Sequence, residues 1–548
     1  MQTEVFKIIN RKDISIVFLK SNANRVAEQV QLMQKRKKIN KLSLLFDLDI
    51  PEDERFKKRI ELLTDVISDD SFDPKILANS VLVFDHGSNC IDNFSLPMQK
   101  IGVHKIYDQS GKRKYKLENF NDLFHRYSGS ASNIFNHRFL EYNSSYIPAF
   151  GTEFSVTPTY VEAGFGRGKS DQSAKTLSTI EAFERYINMY DQKKLSSIRK
   201  SFNDMDKTNT LDPESLILHS KKEYSNPHFK LKRYSKKLPI DWVRANDLTR
   251  REEIFIPKSA VWFGEKKKNE DSNVYAFETS NGMAIGGDEE EATLYGVYEL
   301  IERDSFLKAW YGKTLIKEID WKSVGLHDFE ALSEILKKKE QYIHVFDITG
   351  ETGIPTFWAM LKSEDPNCTM AIYNAAGCNL NPVKAIQAAL YEVVTSFPIY
   401  EKILQKNLKL KEQAQKVQKS PKNVLNFQDH VLYYASYENS KQFNYLIGRK
   451  ITDLKIGNIT SIPLTYKEEF QQVKNLVENK GYRILSINVT PDFLQQEGLV
   501  GVKTLVPGLL PMTFGEQYRR IRTDKVSEYN SLFNQDFEQV NLAPHPFP

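Results

Sequence analysis

Two stretches, Glu181-Ala-Phe-Glu184-Arg185 and Glu299-Leu-Ile-Glu302-Arg303, repeat one pattern of glutamate, two apolar residues, glutamate and arginine. Each lies in a run with helical periodicity. Around the first, Leu177, Ile180, Phe183 and Ile187 recur at spacings of three and four, which predicts a helix with one apolar side. Residues three apart on a helix are neighbours, so Ser178, Glu181 and Glu184 form an oxygen-rich strip beside that stripe, with Arg185 one turn from Glu181. The second helix opens at Glu291. Steps of eight and eleven residues turn by roughly 80° and roughly 20°, so Glu299 and Glu302 return to the side of Glu291 while Leu294, Val297 and Ile301 face a core.

One such stretch makes an ordinary surface ion pair. Two copies with apolar centres are harder to place in solvent. If the helices converge, their carboxylates repel one another and call for hard cations such as Mg2+. Mg2+ seldom completes its shell from protein alone, which leaves phosphate oxygens as the natural further ligands and ATP as their source. Arg185 and Arg303 are then available to neutralise phosphates or orient the glutamates.

Glycines precede both helices, as Gly164-Phe-Gly166-Arg167-Gly168-Lys169-Ser170 and as Ser280-Asn281-Gly282 through Gly286-Gly287. Such loops let backbone N–H groups approach a phosphate, although glycine-rich turns are more often structural. The first nearly spells a P-loop. That motif needs glycine where Ala163 stands, and no strand ending in Asp follows at a suitable distance, so the P-loop reading is set aside.

The rest of the chain bounds these readings. At 548 residues and 40% hydrophobic, it has material for two to four domains. A net charge of +5 with 27% charged residues provides no strong field of one sign, so nucleic acid is not an expected partner. The three cysteines, Cys90, Cys368 and Cys378, show no metal-ligand spacing and fit a reducing, cytoplasmic setting. No signal peptide and no run of eighteen apolar residues occurs, so neither secretion nor a membrane span is expected. Towards the N-terminus, apolar runs at 14–19, 42–48 and 81–84 alternate with helical patterns at 24–38 and 52–67, which predicts a small α/β layered domain. The polar stretch at 105–146 reads as a connection.

Beyond about Phe150 the sequence resembles the YcaO-domain family, and within it the cyclodehydratase subunit that makes azoline rings in ribosomally synthesised peptides. The resemblance rests on the Gly-Arg-Gly loop, the Glu181-Ala-Phe-Glu184-Arg185 helix, and the string from Ser280-Asn281-Gly282 through Glu291 to Glu302-Arg303-Asp304. Further echoes are Asp347-Ile-Thr-Gly-Glu-Thr-Gly353-Ile-Pro355, Gly377-Cys-Asn-Leu-Asn-Pro382 leading to Ala389-Leu-Tyr-Glu392, and Val506-Pro507-Gly508-Leu509. The ending Pro544-His545-Pro546-Phe547-Pro548 fits the Pro-x-Pro-x-Pro tail of azoline-forming members. By composition alone that tail is a stiff extended segment.

The resemblance implies an α+β fold, a YcaO-type ATP-binding domain at 150–548, preceded by the small α/β domain at 1–105 and the connection at 106–149. It implies Mg2+ ligands at Glu181, Glu184, Glu291, Glu299 and Glu302. Nucleotide contacts would come from Arg167, Ser178, Glu181, Arg185, Asn281 and Arg303. Two departures touch these contacts: Arg167 stands where the family commonly has lysine, and Gly287 where a polar residue such as asparagine is usual. The implied reaction uses ATP and Mg2+ to convert Cys, Ser or Thr of a precursor peptide to thiazoline or oxazoline. The resemblance has the tail reach into the active site; the Pro548 carboxylate, and after it His545, are candidates for the proton acceptor. Backbone thioamide formation and a non-catalytic peptide-binding scaffold remain as alternatives. Implied partners are a ribosomal precursor peptide, a leader-binding partner protein, a flavin-dependent azoline dehydrogenase and a second copy of the chain in a homodimer.

Overall fold

The apolar runs resolve into paired strands in the computed structural model, which describes strands at 6–11, 14–19, 80–85 and 90–95 and then residues 105–128, 134–135, 139–141, 146–157, 160–189, 195–226, 229, 231–263, 274–448 and 464–547. Strands β1 (Phe6–Arg11), β2 (Ile14–Leu19), β3 (Ser80–Asp85) and β4 (Cys90–Ser95) form one antiparallel sheet in that order. Two of the expected N-terminal strands are therefore present. The helices expected at 24–38 and 52–67, and the strand expected at 42–48, lie outside the described residues.

A three-stranded antiparallel sheet follows, formed by β5 (Phe139–Glu141), β6 (Ala149–Thr157) and β7 (Tyr160–Arg167). Helix α1 (Asp171–Met189) lies directly on it. The approach is close because glycine has no side chain: a Cβ on Gly166 would sit 1.9 Å from the Ala174 carbonyl oxygen, and one on Gly164 would sit 2.1 Å from the Ala182 nitrogen. The first glycine segment is thus mostly strand. Its glycines serve helix-on-sheet packing, as the structural reading has it.

The next sheet joins segments far apart in the chain. It runs β10 (Glu252–Pro257), β9 (Ile240–Asp247), β16 (Leu485–Asn488), β17 (Val500–Leu505), β11 (Met283–Gly286), with β8 (Ile198–Lys200) also paired to β9. Helix α2 (Glu289–Tyr311) rests on β11 and β17. Its start is well specified: the Asp288 side chain accepts the Glu291 N–H at 3.0 Å, and three glutamates occupy the first turn at the positive end of the helix dipole. Leu294, Val297 and Ile301 are buried, as their spacing predicts. Because α1 also touches β11 and β17, the two helices share one floor.

A last antiparallel sheet runs β12 (Lys317–Glu318), β13 (Gln341–Asp347), β14 (Thr356–Ser363), β15 (Ile372–Cys378) and carries α3 (Pro382–Lys406). Asn381 caps α3 by accepting the N–H groups of Val383 and Lys384, and Pro382 fills the first turn, where no N–H is needed. Helices α4 (Tyr466–Glu478) and α5 (Thr523–Leu532) flank α2. Among the described residues no helix is long and apolar enough to cross a membrane.

Candidate active site

The two acidic faces meet across a cavity of about 450 Å3. Glu181 and Glu184 enter it from α1, Glu299 from α2 and Glu392 from α3, while Arg113, Phe165 and Tyr295 are among the other lining residues. Glu181 and Glu299 are each aimed by a backbone N–H. The Phe165 N–H on β7 donates to Glu181 Oε2 at 3.1 Å, which the close glycine packing permits. Arg185 donates to Glu181 Oε1 from Nε at 3.1 Å and Nη2 at 2.9 Å, and from Nη1 to Glu162 at 3.1 Å. Gly282 N–H donates to Glu299 Oε2 at 2.8 Å. At φ +76°, with the Thr504 carbonyl 2.3 Å from where a Cβ would lie, position 282 requires glycine.

Burial holds the Glu184 carboxyl well above the ordinary range, with Glu299 and Glu181 adding to the effect. Burial likewise pushes Glu302 up to about 7; Arg303 opposes, and Glu392 and Glu299 reinforce. These carboxylates therefore lack an adequate counter-charge from the protein itself. Arg303 comes no closer than 3.6 Å to Glu299 and 3.8 Å to Glu302. Among the described residues no three Asp, Glu, His or Cys side chains converge closely enough to hold a metal ion alone. Mg2+ takes one or two carboxylates and completes its shell with water and phosphate, a demand that glutamates spread around an open cavity suit.

The other expected site residues take different places. Arg167 lines the cavity and donates to Thr395 Oγ1 at 2.8 Å and Ser396 Oγ at 3.0 Å, tying β7 to α3. Ser178 is fully buried behind the strip. Its hydroxyl bonds the Lys175 carbonyl and Thr152 Oγ1, each at 2.8 Å, because it turns toward β6. Glu291 lines a separate cavity of about 20 Å3, and its Oε2 accepts N–H groups from Gly287 at 2.9 Å and Lys114 at 3.1 Å. Two helical turns separate it from Glu299, enough to move it out of the larger cavity despite the shared side. Asn281 and Arg303 line a third cavity, of about 50 Å3, with Lys503 of β17.

Lys503 was not anticipated. Its Nζ donates to the carbonyls of Thr279 at 3.1 Å and Asn281 at 2.7 Å, and burial lowers it to about 8 against the pull of Glu278, Glu299 and Glu184. A lone lysine in the apolar strand Val500-Gly-Val-Lys-Thr-Leu505 is the signal that marks it. Glu392 stood within a quoted family echo, whereas Arg113 and Tyr295 carry no comparable signal.

The C-terminal tail is docked. Trp310 Nε1 donates to the Ala543 carbonyl at 3.2 Å, Tyr434 hydroxyl to Pro544 at 2.6 Å and His430 Nδ1 to His545 at 2.7 Å. Because Gly515 N–H donates to His430 Nε2 at 2.9 Å, that ring is neutral with its proton on Nδ1. The His545 ring stacks on His430 at 4.0 Å and donates from Nε2 to the Thr513 carbonyl at 2.7 Å. Burial pulls His545 down to about 4. These contacts make His545 an anchor of the tail rather than a residue open to the cavity. Phe547 is buried against Phe306, and the Arg303 guanidinium lies 3.9 Å from its ring centroid, so the tail reaches the acidic helix itself. Pro548 lies outside the described residues.

The profile of the YcaO cyclodehydratase family, ATP- and Mg2+-binding, matches residues 165–510. An uncharacterised protein of Methanothermobacter thermautotrophicus is 28% identical over 261 residues, 46% of this chain and 61% of its own length. An uncharacterised protein from the tfuA 3′ region of Rhizobium leguminosarum bv. trifolii is 27% identical over 167 residues, 29% of this chain and 39% of its own. The chain thus spans less than two thirds of either relative. Among solved structures, a heterocyclase in complex with substrate and cofactor superposes with a TM-score of 0.71 at 17% identity, covering 99% of this chain and 77% of its own. The heterocyclase TruD gives 0.60 at 16%, covering 99% and 75%. The YcaO protein of Methanopyrus kandleri bound with AMPPCP and Mg2+ gives 0.51 at 15%, covering 74% and 94%. At these identities the superpositions establish the fold alone.

Proposed function

The chain belongs to the YcaO cyclodehydratase family, an ATP- and Mg2+-binding family, and on that premise we propose that it cyclodehydrates Cys, Ser or Thr residues of a ribosomal precursor peptide to thiazoline or oxazoline. The observation that carries this reading is the cavity in which Glu181 and Glu184 of one helix face Glu299 of another, short of positive charge. Glu181, Glu184 and Glu299 would hold Mg2+ there, and the ion would supply the positive charge that the carboxylates and a triphosphate both need.

In the proposed reaction a peptide hydroxyl or thiol adds to the preceding amide carbonyl and loses its proton. The carbonyl oxygen, now an oxyanion, attacks the γ-phosphorus as the bond to ADP breaks. Departure of that oxygen as inorganic phosphate, with the amide proton, leaves the ring C=N bond. The protein's work is alignment and charge balance. Glu181, fixed by Phe165 N–H and Arg185, and Glu299, fixed by Gly282 N–H, keep their positions without a ligand. Arg303, with its Nε and Nη1 lacking hydrogen-bond partners, offers donors to developing negative charge. The buried tail excludes water from the Arg303 side of α2.

The same reading includes a leader-binding partner protein, a flavin-dependent dehydrogenase acting on the azoline, and a homodimer. It is tested by incubating the chain with ATP, Mg2+, the precursor peptide and the leader-binding partner, then weighing the peptide. Loss of one water mass per ring supports cyclodehydration. Exchange of oxygen for sulfur when sulfide is supplied would replace it with thioamide formation, and an unchanged peptide with no ADP formed would leave the scaffold reading.

A further inference from the structure

The 50 Å3 cavity beside the carboxylate cluster has largely apolar walls, Leu300, Leu505, Leu509 and Met512 among them, and the charged side chains set into those walls are mostly cationic. Lys503, Arg303, Asn281 and Arg520 line it, and Glu278 is its acidic member. Glu278 is already paired with Arg520 at 2.8 Å, and Arg520 spends three of its other four donors on the carbonyls of Leu216, Ile217 and Phe277. Lys503 spends two of its three donors on Thr279 and Asn281. Besides that last Arg520 donor, what remains is the third Lys503 donor, Nε and Nη1 of Arg303 and the side-chain amide of Asn281; the Arg303 and Asn281 atoms are buried without hydrogen-bond partners. Buried polar groups left unmatched are costly, which marks the place where a ligand completes them.

We infer that this cavity is a binding site for a tetrahedral phosphate anion, held by Lys503 together with Arg303 and Asn281. The inference rests on the nucleotide reading above, and it adds a residue and a compartment that reading does not contain. The net charge around the cavity is positive, since Lys503, Arg303 and Arg520 outnumber Glu278. At roughly 10 to 15 Å3 of such volume per water, the cavity has room for about three to five oxygen-sized positions, which suits one phosphate and not a nucleotide. Its position also fits. Asn281 adjoins Gly282, whose N–H holds Glu299, and Arg303 stands one turn beyond Glu299 on α2. A phosphate leaving the cluster of carboxylates meets, on the next side chains, the donors that replace Mg2+ as its counter-charge. The two Lys503 bonds to the 279–281 backbone fix the ammonium at the cavity wall before any anion arrives.

The probe is inorganic phosphate, titrated by calorimetry into wild-type protein saturated with ADP and Mg2+, and into Lys503→Met and Asn281→Ala. Loss of a charged hydrogen bond predicts phosphate affinity about tenfold to a hundredfold weaker in Lys503→Met, and about threefold to tenfold weaker in Asn281→Ala. ADP affinity is expected to change by less than about threefold in Lys503→Met. Lys503→Arg, which keeps charge and donors, should restore most of the phosphate binding. Circular dichroism checks that Lys503→Met folds; if it does not, Asn281→Ala and the wild type decide. Wild-type protein that binds ADP but no phosphate would overturn the inference, as would equal phosphate affinity in wild type and both variants. Failure of the wild type to bind ADP at all would instead bring down the nucleotide reading, and this inference with it.

Discussion

Glu302→Gln stabilises the ligand-free protein at alkaline pH and has little effect in acid. The Glu302 side chain is 16% exposed, and burial moves its carboxyl from 4.5 to about 7, with Arg303 opposing and Glu392 and Glu299 contributing. Between those two values the folded chain binds more protons than the unfolded one, so its stability is fully present below about pH 4.5 and is lost as pH rises through about 7. At about 1.4 kcal/mol per pH unit, the interval amounts to about 3 kcal/mol at about pH 8. Glutamine keeps the size of the side chain and an acceptor for the Cys378 N–H, and it carries no charge to desolvate. Denaturant unfolding of both proteins in chelator should therefore show no difference at about pH 4.5 and an advantage of about 3 kcal/mol to the variant at about pH 8. Adding Mg2+ and ADP should reverse the order, because the wild type then gains the larger binding increment. Equal pH slopes, or a variant less stable at about pH 8, would refute the claim that the site stores uncompensated charge.

Glu184→Gln should weaken Mg2+-dependent ATP binding about tenfold to a hundredfold by calorimetry, and an unchanged Kd would remove Glu184 from the site. Phe547→Ala removes a buried ring that Arg303 and Phe306 both contact, so it should cost about 3 kcal/mol or more and release the tail, read as faster hydrogen exchange at 543–547. The tail should also loosen in acid. His545 is held down at about 4 by burial, below its usual 6.5, so docking is intact above about pH 6.5 and is progressively lost as pH falls toward about 4, by about 3 kcal/mol in total. Exchange of the tail amides at about pH 5 and about pH 7.5, corrected for intrinsic rates, checks this. Gly166→Ala drives a methyl into the Ala174 carbonyl and should cost about 3 kcal/mol or more, with loss of ATP binding as α1 lifts from β7.

The acidic helices were legible in the sequence because helical periodicity is local: Glu181, Glu184, Glu299 and Glu302 recur at spacings that a helix converts into one face. Their convergence was an inference from charge, and the floor that produces it, β11 beside β17, joins segments more than two hundred residues apart. Local spacing contains no record of such pairings. The same limit hid Arg113, which reaches the larger cavity from the connection, and kept Glu392 of α3 and Lys503 of β17 from being placed beside the acidic helices. Spacing also says nothing of depth at Glu291, whose side on the helix agrees with Glu299 but which lines a cavity of its own, where its carboxylate accepts the N–H groups of Gly287 and Lys114. The tail shows the reverse case. Proline composition predicts stiffness only, whereas its docking depends on Trp310 of α2 and on His430 and Tyr434, which share one helix more than a hundred residues before the tail.

A crystal structure of the chain with a non-hydrolysable ATP analogue and Mn2+ in place of Mg2+ tests the central claim most directly, through the anomalous signal of the metal. The account predicts metal and phosphates between Glu184 of α1 and Glu299 of α2, within hydrogen-bonding or coordination distance of both helices. Nucleotide bound elsewhere, with the carboxylates of those helices still unfilled, would contradict it.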